Sequence, residues 1–81
     1  MNKIPVTFNY KNKPYKGILS AVSGAGGVAS MFHLFVNDYF CGQLIYSEDQ
    51  KRWFFYAPNR PEMELLANHF AKQILKFHEE N

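Results

Sequence analysis

The chain opens on a strict alternation. Ile4, Val6, Phe8 and Tyr10 are apolar or aromatic, and Lys3, Pro5, Thr7, Asn9 and Lys11 fall between them. A period of two marks a strand with one face buried. Pro5 has no N–H to give to a ladder, so this strand either starts there or lies at a sheet edge. Lys11-Asn12-Lys13-Pro14 is turn chemistry, and Tyr15 to Val22 returns as a second strand. Ser23-Gly24-Ala25-Gly26-Gly27 breaks the pattern and reads as a loop. A third strand runs from about Val28 to Val36, and a fourth from Tyr39 to Tyr46 after an Asn37-Asp38 turn. Ser47-Glu48-Asp49-Gln50 turns the chain again, and Lys51 to Ala57 is an aromatic-rich fifth strand.

Pro58 ends the strand pattern. Asn59, followed by Glu62, fits an N-cap with an acid at N3, and Pro61 is tolerated in a first turn. Met63, Leu66, Ala67, Phe70, Ile74 and Phe77 then draw one apolar stripe at helical spacing. Glu64, Asn68, Lys72, Lys76 and Glu79 fall on the other side. The prediction is a single α+β domain over residues 1–81, an antiparallel β-β-β-β-β-α meander with strands at about 4–10, 15–22, 28–36, 39–46 and 51–57 and a helix at about 60–79.

Turn lengths assign the faces. A two-residue Asn37-Asp38 turn sets Val36 opposite Tyr39, Leu34 opposite Cys41 and Phe32 opposite Gln43. A four-residue loop at 47–50 sets Gln43 opposite Phe54 and Cys41 opposite Tyr56. Cross-strand pairs share a face. One face then holds Phe32, Leu34, Val36, Tyr39, Cys41, Gln43, Ile45, Arg52, Phe54 and Tyr56. The other holds Met31, His33, Phe35, Phe40, Gly42, Leu44, Tyr46, Trp53, Phe55 and Ala57, and it is the better core to meet the helix. One helix, about 10 Å across, covers only one side of a sheet. The first face is therefore left as a docking surface, with Phe32, Leu34, Tyr39, Gln43, Arg52, Phe54 and Tyr56 as its binding residues. Curling of the strands into a half-barrel is the alternative, because it buries both faces.

Composition narrows the function classes. Eight Phe, five Tyr and one Trp in 81 residues exclude a disordered chain. Nothing approaches the apolar length of a membrane span, and no apolar segment follows Lys3 as a signal peptide requires. Cys41 is the only cysteine, so a reducing cytoplasm is the expected compartment. The net charge of +2 is unevenly placed: residues 1–37 hold Lys3, Lys11, Lys13 and Lys16 and no acid. A basic hairpin of Lys11, Lys13 and Lys16, beside aromatics that stack on bases, is the nucleic-acid alternative. Strand-edge lysines also guard against edge pairing.

Catalytic chemistry finds little support. With a two-residue turn His33 and Cys41 fall on opposite faces, where no proton passes between them; a three-residue turn would bring them together. His33, His69 and His78 have no metal-ligand spacing. The glycine segment lacks the GK[ST] end of a phosphate loop, and the carboxylates form no acid–base pair. The expectation is a non-enzymatic binding or assembly module that engages a protein partner or its own copy as a homodimer. No cofactor, metal or small-molecule substrate is inferred.

Overall fold

Alternation produces the first hairpin. In the computed structural model, which describes residues 3–22 and 31–80, β1 (Lys3–Tyr10) buries Ile4, Val6 and Phe8 and exposes the residues between them. It pairs antiparallel with β2 (Lys13–Ala21), Tyr10 opposite Lys13. Lys11 and Asn12 form the whole turn, at φ 50° and 66°. Both residues are left-handed, as a two-residue hairpin of matching twist requires. Lys13 and Pro14 thus belong to the strand and not to the turn.

The remaining strands are β3 (Met31–Val36), β4 (Tyr39–Ser47) and β5 (Arg52–Tyr56). Their order in the sheet is β1-β2-β3-β4-β5, all neighbours antiparallel. Asn37 and Asp38 make the expected two-residue turn, at φ 52° and 68°. The next loop is Glu48–Lys51, one residue later than the sequence implied, with Lys51 left-handed at φ 57° and Ser47 opposite Arg52. The expected Ser23–Gly27 loop and the expected strand start at residues 28–30 lie outside the described residues.

The C-terminal element starts differently from its prediction. Pro61–Leu66 is a 3₁₀ turn, η1, and the α-helix α1 spans Ala67–Glu80. Asn59 does not cap it. Arg60 occupies the cap position without a side-chain hydrogen bond, and its amide donates to Ala57 O in the turn that leaves β5. That bond places Asn59 inside the turn. Glu62 instead accepts from the Tyr10 hydroxyl at 3.2 Å. Its carboxyl is held below the usual range, first by a backbone hydrogen bond at Glu62 itself. Desolvation opposes this, and Tyr10 and the Lys11 charge add to it.

The helix stripe packs as its spacing dictates. Met63, Ala67, Phe70 and Ile74 are buried, and Leu66 and Phe77 lean on the same core. The sheet curls so that α1 meets both edge strands, β1 and β5, which do not pair with each other. Phe70 joins them: its ring stands edge-on to Phe8 at 5.4 Å and tilts against Phe55 at 5.1 Å. Leu19, Leu34 and Leu44, fully excluded from water, complete the middle of the sheet. Burying side chains of this size is worth about 1.5–3 kcal/mol each, so the helix-facing side carries most of the folding free energy.

One irregularity decides which side chains lie there. Between β3 and β4, Phe35 is opposite Phe40 but Leu34 is opposite Gly42, so Cys41 is an extra residue, a β-bulge. A bulge inverts the facing of everything beyond it relative to a regular ladder. The expected faces of β3 are therefore corrected. Phe32, Leu34 and Val36 point to the helix, and Met31, His33 and Phe35 point away from it. Phe40 moves to the outer side and Cys41 packs against the core. The expected facing of Gly42 to Ala57 holds. Leu44, Trp53, Phe55 and Ala57 are inside, while Gln43, Ile45, Arg52, Phe54 and Tyr56 are outside.

The open sheet face as candidate functional site

No element among the described residues covers the outer side of the sheet. The registers line its side chains up in transverse rows. Pro5, Ile18, Phe35 and Phe40 form one row, on β1 to β4 in turn. Met31, Ile45 and Phe54 form another on β3 to β5. Between them runs a polar row across all five strands: Lys3, Ser20, His33, Gln43 and Tyr56. Two apolar bands thus flank one hydrogen-bonding band.

Contacts within the face fix its centre. The Gln43 amide lies 3.3 Å from His33 Nε2. The His33 ring meets the edge of Phe40 at 5.2 Å, and Phe35 and Phe40 meet edge-to-face at 6.1 Å. Such pairs contribute about 0.5–1.5 kcal/mol beyond area burial, which holds the rings in defined positions. Arg52 stacks on Phe54 at 4.4 Å, a cation over an aromatic face. Despite this mutual packing, Phe40 remains 52% and Tyr56 58% exposed. An open groove of about 770 Å³ adjoins these rings over β1 to β3, with Lys3, Lys16, Ile18 and Phe35 in its wall.

The seven binding residues expected from sequence separate into three groups. Gln43, Arg52, Phe54 and Tyr56 are together on this face. Phe32 at 4% and Leu34 at 0% exposure are core residues, so their assignment to the surface is corrected by the bulge. Tyr39 is 77% exposed but stands opposite Val36, on the helix-facing side at the end of the sheet. Sequence reasoning placed Met31, His33, Phe35 and Phe40 in the core and so missed them here. The available signal was Gly42: a glycine inside a strand marks a bulge or a close backbone approach.

The basic hairpin is not one patch. Lys16, opposite Thr7, is on the outer face with Lys3. Lys13 lies across from Tyr10 on the other side, and Lys11, in the turn, lies over the Tyr10 ring at 5.4 Å. No strand carries an acidic side chain; the strand charges on the outer face are Lys3, Lys16 and Arg52, and Asp38 of the β3–β4 turn lines the same groove as Lys3 and Lys16.

The discounted chemistry can be placed as well. Cys41 and His33 both change sides and remain on opposite ones; Cys41 Sγ is 3.5 Å from Tyr39 O. His69 lies 2.8 Å from Thr7 O. Among the described residues, no three of His, Cys, Asp and Glu come together as a metal site, and no helix is long and apolar enough to cross a membrane. Compared with protein-family models, curated proteins and solved structures, the chain matches none of them.

Proposed function

We propose that this domain is a non-enzymatic binding and assembly module whose working surface is the outer side of β3–β5, and that its first partner is a second copy of the chain. One observation carries the reading. The single helix covers one side of the sheet, and the other side presents Phe35, Phe40, Ile45, Phe54 and Tyr56 around a His33–Gln43 centre with nothing over it among the described residues. Apolar and aromatic side chains gathered on one face, with Arg and Tyr at the margin, match the composition of protein interfaces. The free Cys41 thiol fits a reducing cytoplasm. Light scattering tests the reading: the native chain has the mass of two copies. Arg52→Glu combined with Tyr56→Ala has the mass of one, with unchanged far-UV circular dichroism. A native chain that stays single at high concentration contradicts self-association.

A second reading rests on the charge of the same face. Lys3, Lys16 and Arg52 are on it, outnumbering Asp38 of the β3–β4 turn, which lines the groove with Lys3 and Lys16. Aromatic rings beside cations bind single-stranded nucleic acid, with affinity that falls steeply as salt rises. Short oligonucleotides at low salt test it. Binding that weakens in Lys3→Gln with Lys16→Gln supports this reading, and no binding removes it.

A further inference from the structure

The two edges of the sheet are not equivalent. On β1, Thr7 turns both backbone groups outward, and α1 satisfies both. The Thr7 amide donates to Gln73 Oε1 at 2.9 Å, and Gln73 Nε2 donates to Thr7 O at 2.6 Å. His69 reaches the same carbonyl. Two residues earlier, in the same outward phase, Pro5 has no N–H to offer. A side-chain amide thus occupies the place of an added strand, and β1 is closed to pairing. β5 is the other terminal strand, and no side chain among the described residues bonds the backbone of Arg52–Tyr56. It holds no Pro, and its only charge is Arg52. Edge strands left in this state are templates for a further strand.

We infer that β5 pairs antiparallel with β5 of a second copy about a two-fold axis at Phe54, which makes one continuous ten-stranded sheet. The inference rests on the self-association reading above and places the contact at the β5 margin of the outer face, which edge pairing continues into the second copy. Three features select this occupant and register. In a continuous sheet, paired residues must share a side, and centring on Phe54 is the register that pairs all five residues of β5. Arg52 then faces the partner strand's Tyr56, with no like charges opposed. The Met31–Ile45–Phe54 row also continues into its own copy, apolar against apolar. Beside β5, η1 carries Leu65 at 88% exposure, further apolar surface on this flank.

The test is oxidative cross-linking of the full chain in a Cys41→Ser background, alongside light scattering. Phe54→Cys sits on the axis, where facing Cα atoms of an antiparallel pair are about 4.5–5.5 Å apart, within the Cα separation a disulfide spans. It is expected to form a covalent dimer in near-quantitative yield. Ile45→Cys, one strand inward on the same face, is expected to stay uncross-linked. A dimer by mass in which Ile45→Cys or Phe40→Cys cross-links and Phe54→Cys does not overturns edge pairing but keeps face-to-face assembly. A chain of single mass with no cross-link at any position overturns both.

Discussion

Gly42 shows how much depends on one residue. A methyl group there would sit 2.7 Å from the Phe55 ring and 2.7 Å from Tyr56 O, closer than carbon atoms approach. The glycine lets β5 come in tight immediately after the Cys41 bulge, and that bulge decides which side chains of β3 are wet. Gly42→Ala should therefore cost about 1–3 kcal/mol, the usual range for overpacking, read as a lower urea midpoint. Glu62 makes a different prediction at the same scale. Its carboxyl is lowered in the fold, so its contribution is present above the ordinary carboxylate range and is lost as pH falls through the folded value. Acid titration of stability should show a shallower loss in Glu62→Gln than in the native chain.

Among the elements, α1 has two tasks. Its apolar stripe packs against β1 and β5 inside the curl of the sheet, and its Gln73 seals the β1 edge. The first task was legible from the chain because Ala67, Phe70, Ile74 and Phe77 repeat at helical spacing. The second was not, since a polar residue on a helix announces no partner 66 positions away. Gln73→Ala should leave the helix intact and free the edge. The Thr7 amide should then exchange with solvent much faster, with a loss of about 0.5–1.5 kcal/mol, the net worth of an ordinary hydrogen bond. Strand order, hairpin positions and the helix were readable because alternation, turn residues and periodicity are local signals. The facing of β3 was not, because face assignment propagates through turn length and register. One unpaired residue at Cys41 reverses it. Phe32 and Phe35 are equally apolar in sequence, and only the register sends one inward and the other out.

At the scale of the molecule, the chain is one curled sheet wrapped on a helix, with its stability on the inside and its unspent apolar surface on the outside. The outer rows, apolar then polar then apolar, belong to no strand alone; they exist only when all five strands are in register. That arrangement is the basis for assigning the outer face to binding, and it rests on the division of side chains between the two faces. Urea unfolding of Phe40→Glu beside Phe32→Glu, at concentrations low enough to keep chains apart, measures that division directly. Phe40→Glu should stay folded and lose about 1–3 kcal/mol, the worth of its two ring contacts with His33 and Phe35. Phe32→Glu, which puts a charge among buried rings, should lose more than about 4 kcal/mol or fail to fold. Equal damage from the two, or greater damage at Phe40, would mean that the face assigned to binding is the protein's own core.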